Sequence, residues 1–172
     1  ETVALAKQSR ADHQHRQEQL AGTISIGSGE LRSCRFLSRL MTGFQRENPL
    51  VRFALYSGNA DNIKERIERG LLDVGLLQEP VDITRYSFVR TPVREQWGVL
   101  IRRDSDLATR TCVTPADLAS VPLILPEREI VQNELFSWFG SYAEGLRITA
   151  AGNLLYNMAS LARESGNGVI TL

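Results

Sequence analysis

Residues 22–77, "GTISIGSGELRSCRFLSRLMTGFQRENPLVRFALYSGNADNIKERIERGLLDVGLL", carry the pattern that decides the fold. Residues 23–27 alternate, with Ile24 and Ile26 on one face of a strand. Leu31, Cys34, Leu37, Leu40, Met41 and Phe44 then recur at three- and four-residue steps. That spacing predicts a helix of about four turns with a buried stripe. Asn48-Pro49 ends it, because the residue before proline resists the α region. Val51, Phe53 and Leu55 alternate as a second strand. Asn59 can cap a second helix whose buried side is Ala60, Ile63 and Ile67, and Gly70 supplies its stop. Residues 71–77 are almost wholly apolar, as expected of a strand covered on both faces. Strands alternating with helices at this spacing predict a parallel sheet.

The same rhythm continues downstream. Residues 86–93 and 96–102 read as strands, and "TPADL" (114–118) as a short capped helix. Strand, helix, strand, helix and strand then follow at 122–125, 130–139, 146–150, 153–163 and 169–172. Two α/β lobes result, with the crossing near residues 97–104. Residues 1–22, rich in Gln, His and Arg, suit an exposed connecting helix that needs a partner. The last strand stops without turn or cap, which reads as a chain cut inside its fold.

Composition narrows the function. The 172 residues are 42% hydrophobic and 23% charged, an ordinary globular balance. Twenty Lys+Arg offset 20 Asp+Glu, so no global field draws the chain to nucleic acid or membrane. No apolar run approaches the ~20 residues of a membrane span, and the leader lacks the apolar core of a signal peptide. Cys34 and Cys112 form no CxxC pair and read as structural thiols of a reducing compartment. Both histidines, His13 and His15, stand in the polar leader beside Asp12, where an exposed helix face is the simpler reading than a metal site. No Ser-His-Asp, Cys-His or G-x-S-x-G arrangement appears, so no catalytic residue, metal or cofactor is assigned.

The Gly27-x-Gly29 turn can be a phosphate cradle, a plain tight turn or one wall of a ligand cleft. Arg32 stands where the dinucleotide fingerprint needs its third glycine, and no acid follows the second strand to hold a ribose. Nucleotides are thereby excluded.

The ordered set of pieces resembles one family. A G-x-I-x-I-G strand, a helix ending F-x-x-x-x-P-x-V, a Y-S-G-N loop and G-L-L-D-V-G-L-L resemble the first lobe of the effector-binding domain of LysR-type transcriptional regulators. "WGVLIRRDSDLA" (97–108) resembles its crossing strand, "TPADLASVPLI" (114–124) the opening of its second lobe, and "LARESGNGVITL" (161–172) the helix and strand leading back. The resemblance covers residues 23–172. It implies two Rossmann-like lobes of the type II periplasmic-binding-protein kind, the first incomplete at the C-terminus. It implies a linker helix segment at 1–22, a first lobe at 23–101, and a second lobe with the return strand at 102–172. It further implies a cytoplasmic, non-enzymatic sensor that binds a small effector between the lobes. The chain would form a homodimer or homotetramer and reach DNA only through a helix-turn-helix domain absent from this sequence. The alternative on the same scaffold is a solute-binding protein of a transport system.

Strand ends bring Ser28, Gly29, Glu30, Leu31, Asn59 and Gln78 to the cleft from the first lobe, and Arg128 and Asn153 from the second. A hydroxyl residue that grips an anion often stands four positions after the first glycine in the family; here that position is Leu31. Arg128 can hold a carboxylate with two hydrogen bonds, and Asn153 can cap a helix or contact a ligand. Asp73, at the start of its strand, reads as a structural hydrogen-bond acceptor. Arg32, Arg35, Arg39 and Arg46 share the side of the first helix opposite its apolar stripe. In the family this helix packs on the second-lobe helix of a dimer mate, here bearing Glu129 and Glu134 with Glu127 beside them.

Overall fold

The computed structural model describes residues 20–172. The expected helix over 1–22 therefore falls almost wholly outside the described residues, as do His13 and His15. Its last two positions, Ala21 and Gly22, belong to the first strand.

Strands β1 (Ala21–Ser28), β2 (Leu50–Ser57) and β3 (Val74–Leu76) form a parallel sheet in the order β2-β1-β3. Helices α1 (Cys34–Glu47) and α2 (Ala60–Glu68) are the crossovers. Two glycines explain how α2 seats. Gly27 of β1 and Gly75 of β3 are register partners. A Cβ on Gly27 would stand 2.9 Å from Ile63 Cγ2, and one on Gly75 2.8 Å from the same atom. The bare backbone of both strands thus makes a groove that Ile63 of α2 fills, and Ile63 is 1% exposed. Asn59 caps α2 as expected: its Oδ1 accepts from the N–H groups of Asp61 and Asn62, and Asn62 Oδ1 accepts from the Asn59 N–H. Gly70, at φ 70°, follows the helix end. Asp73 also behaves as read, its Oδ2 accepting the Ser25 N–H at 2.7 Å where the β1–β3 ladder begins.

Three expectations for this lobe are corrected. The apolar stripe of α1 is not buried: Leu40 is 55% and Phe44 38% exposed. Helix α1 rests mainly against β2, where Phe44 meets Phe53 edge to face. No further described layer covers its apolar side. β3 is confined to Val74–Leu76 and Val74 is exposed, because β3 is an edge strand. Residues 86–93 form no strand. A strand needs a ladder partner; here side chains tether the segment instead, the Tyr86 hydroxyl donating to Glu68 and Arg90 to Glu79.

The second sheet has the order β4-β7-β5-β6, from β4 (Gly98–Leu100), β5 (Leu123–Pro126), β6 (Ile148–Gly152) and β7 (Gly168–Thr171). β5, β6 and β7 run parallel, and β4 is antiparallel to β7. The crossing strand expected over 96–102 is thus shorter and hydrogen-bonds in the second sheet. β5 is central and fully buried at Leu123, Ile124 and Leu125. One face packs on Leu118 of α3 (Pro115–Ala119) and on Val131, Leu135 and Phe139 of α4 (Glu129–Phe139). The other face packs Ile124 and Val169 on Met158 and Ala162 of α5 (Leu155–Ser165). Helices on both faces of a parallel sheet are the doubly wound arrangement. Cys34 is half-buried and Cys112 exposed, and neither is in a disulfide.

Candidate ligand-binding cleft

All strands of the first sheet run parallel, so their carboxyl ends emerge together, and so do the starts of the helices that follow. The ends of β5, β6 and β7 do the same in the second lobe. A cleft of about 780 Å³, open mouth included, lies between the two sets of ends. Gly29, Glu30 and Leu31 follow β1 onto its wall, Gly58, Asn59 and Ala60 follow β2, and Leu77, Gln78 and Glu79 follow β3. Pro126 and Arg128 come from the end of β5, and Gly152, Asn153, Leu154 and Leu155 from the end of β6. This is where open α/β sheets place ligands.

Two glycines let the walls close up. A Cβ on Gly58 would stand 2.9 Å from Tyr56 Cε1, and one on Gly152 2.7 Å from Met158 Cγ.

Polar contacts join the lobes. Arg128, the N-cap of α4, donates from Nε to Asp61 Oδ2 at 2.9 Å and from Nη2 to Asp61 Oδ1 at 3.2 Å. Its Nη1 donates to the Pro80 carbonyl at 3.3 Å. Asn59 Nδ2 donates to Glu127 Oε1 at 3.0 Å. The hydrogen bond from Arg128 holds the Asp61 carboxyl below its ordinary value, partial burial opposing and the Arg128 charge assisting. At the start of α1, the Ser33 N–H donates to Glu95 Oε1 at 2.7 Å.

The cleft gathers Gly29, Glu30, Leu31, Asn59, Gln78, Arg128 and Asn153 from the residues the sequence nominated. Ser28 is not on the wall: its Oγ lies 3.8 Å from Cys34 Sγ, which itself lies 2.8 Å from the Gly29 carbonyl. Asn153 is not a cap, since the N-cap of α5 is Leu154, which makes no side-chain bond. Arg128 does not stand open to a ligand anion; its fork is engaged by Asp61. Arg32 is exposed but off the wall. Trp97, Leu77, Leu155 and Met158 were missed. The strand-end rule, widened to the residue before Gln78 and to the second residue after Asn153, reaches Leu77 and Leu155. Trp97, the aromatic heading β4, was a signal left unused. The Asp61 and Glu95 contacts join positions 67 and 62 residues apart, which no local pattern reveals. Among the described residues, no three His, Cys, Asp or Glu side chains are grouped to hold a metal ion.

The family model for the LysR substrate binding domain matches residues 17–171. A curated relative, the uncharacterized HTH-type transcriptional regulator YvbU of Bacillus subtilis (strain 168), is 29% identical over 104 residues, 60% of this chain and 35% of its own length. The solved structure of HinK, a LysR family transcriptional regulator from Pseudomonas aeruginosa, superposes with a TM-score of 0.59 at 18% identity, covering 88% of this chain and 52% of HinK. The effector binding domain of QuiR in complex with shikimate superposes with a TM-score of 0.66 at 15% identity, covering 88% and 74%. The chain thus spans about a third of the curated relative and about half of the HinK chain. These likenesses show the fold, two α/β lobes of the type II periplasmic-binding-protein kind.

Proposed function

This chain belongs to the LysR substrate binding domain family, and from that premise we propose that it is the ligand-sensing part of a bacterial transcriptional regulator. A small effector binds between the lobes, and DNA is bound by a separate helix-turn-helix domain of the full protein. The observation that carries this reading is the cleft itself, walled by the carboxyl ends of both sheets and bridged by Arg128 and Asp61. An effector changes the regulator only by binding two arrangements of the lobes unequally, and bridging contacts of this kind can differ between such arrangements. The regulator names of the curated relatives favour sensing over solute transport. The shikimate complex of QuiR supports a small-molecule ligand. Gly29, Glu30, Leu31, Asn59, Gln78, Arg128 and Asn153 are the proposed effector contacts. A cytoplasmic location belongs to this reading; among the described residues no helix is long and apolar enough to cross a membrane.

The division into a linker segment (1–22), a first lobe (23–101) and a second lobe with its return strand (102–172) is part of the proposal. Hydrogen bonding moves its inner limits slightly, placing Ala21 and Gly22 in β1 and Gly98–Leu100 in the second sheet. Self-association is proposed through the exposed Arg32, just ahead of α1, and the exposed Arg35 and Arg39 on it, against the exposed Glu129 and Glu134 of a second copy. Light scattering of R35E/R39E at low salt checks it; an undiminished dimer fraction refutes that interface.

The effector reading is tested by a thermal-shift screen of small metabolites on wild type and on Leu31→Trp, which fills the cleft. Compounds that stabilise the wild type and lose their effect in L31W support the reading. Stabilising compounds that act equally on both overturn it.

A further inference from the structure

The cleft answers a further question, the charge of its ligand, given that it is the effector site. Several features around it could hold an anion, and the chain's own groups occupy three of them. At the start of α1, where backbone N–H groups and the helix dipole favour negative charge, the Glu95 carboxylate already accepts the Ser33 N–H at 2.7 Å. Its second oxygen, Oε2, is buried with no hydrogen-bond partner. At the start of α2, Asn59 Oδ1 takes the N–H groups of Asp61 and Asn62. The guanidinium of Arg128 is forked on Asp61 and bonded to Pro80. The start of α5 lacks a side-chain cap.

The charges left on the walls are negative. Of the ionisable groups lining the cleft, Arg128 is neutralised by Asp61 and Glu79 is paired with Arg90 at 2.7 Å. Glu30 has no cation within ion-pair range among the described residues. Between these groups the walls are apolar, with Leu77, Leu155 and Met158, and Trp97 adds an aromatic ring. Aromatic faces attract cations, and the attraction grows as water is excluded.

We propose that the effector is an organic cation, an amine on an apolar body, with its ammonium group at Glu30 and its apolar part among Trp97, Leu77, Leu155 and Met158. A carboxylate of the same shape meets Glu30 and finds the starts of α1 and α2 and the Arg128 fork already filled. Leu31 adds an apolar surface beside Glu30 where a hydroxyl would have offered a donor.

Isothermal titration of the 172-residue chain with 3-phenylpropylamine, 3-phenylpropanol and 3-phenylpropionate separates charge from shape. The expected order of affinity is amine, alcohol, carboxylate, with amine over carboxylate by about tenfold. Glu30→Gln should weaken the amine about 3- to 5-fold, the yield of an exposed ion pair, and leave the alcohol unchanged. Glu95→Gln keeps an acceptor for Ser33 but removes the charge, and should strengthen the carboxylate alone. Equal affinities, a carboxylate tighter than the amine, or no heat from the amine at its solubility limit would each overturn the proposed ligand class. The effector reading itself is judged separately, by the loss of screen compounds in L31W.

Discussion

Asp61 and Arg128 join the lobes, and their coupling can be measured by a double-mutant cycle of Asp61→Asn and Arg128→Met. Methionine keeps most of the apolar stem of arginine while removing its charge. At an effective dielectric of about 20, unit charges 4 Å apart attract by roughly 4 kcal/mol. Solvent discounts that heavily here, because the Asp61 side chain is 59% exposed. Fully exposed pairs contribute only about 0.2–1 kcal/mol. The Arg128 side chain is 12% exposed and the contact is two-pronged, at 2.9 and 3.2 Å, which raises the value above that range's middle. A coupling of about 1 kcal/mol is expected in urea unfolding followed by tryptophan fluorescence and circular dichroism. The pH dependence has a fixed sign. The folded Asp61 carboxyl titrates below its ordinary value, so its stabilisation is full above the unfolded value and lost as pH falls through the folded one. The gap between wild type and D61N should therefore close on acidification below about pH 4 and stay constant toward neutrality. A coupling indistinguishable from zero at low salt, or a gap that widens in acid, refutes the reasoning.

Other outcomes follow from the first lobe. Ile63→Ala should cost about 3 kcal/mol in urea unfolding, since it empties the groove over Gly27 and Gly75. Gly75→Ala should cost about 1–3 kcal/mol by the reverse fault, its Cβ falling 2.8 Å from Ile63 Cγ2 and 2.9 Å from Ile67 Cδ1. The G75A/I63A pair should then lose less than the two single changes summed. Asn59→Ala should cost about 1 kcal/mol through the lost helix cap, and Asn59→Ser should recover most of it.

Local patterns carried much of the fold. The alternation at Ile24 and Ile26, the Asn59 cap, the Gly70 stop and the apolar run of β5 each depend on near neighbours, and each element formed within a residue or two of its expected place. The failures came where tertiary partners decide. The α1 stripe has helical spacing, but spacing cannot supply the layer that would cover Leu40 and Phe44. Residues 86–93 read as a strand, but local sequence cannot supply a ladder partner. Gly27 reads in the sequence as part of a turn, yet it lies inside β1, and its packing role emerged only once Gly75 lay beside it and Ile63 above. The cleft residues follow from where parallel strands end, so most were reachable. The state of Arg128 was not, because Asp61 lies on another helix of the other lobe.

The central claim is that one ligand is held by both sets of strand ends. Hydrogen–deuterium exchange of the chain with 3-phenylpropylamine, or with an L31W-sensitive compound from the screen, tests it most directly. Slower exchange should appear together at residues 29–31, 58–60 and 76–79 of the first lobe and at 126–128 and 152–155 of the second. Protection confined to one lobe, or lying on the outer faces of α1 and α4, would contradict the account.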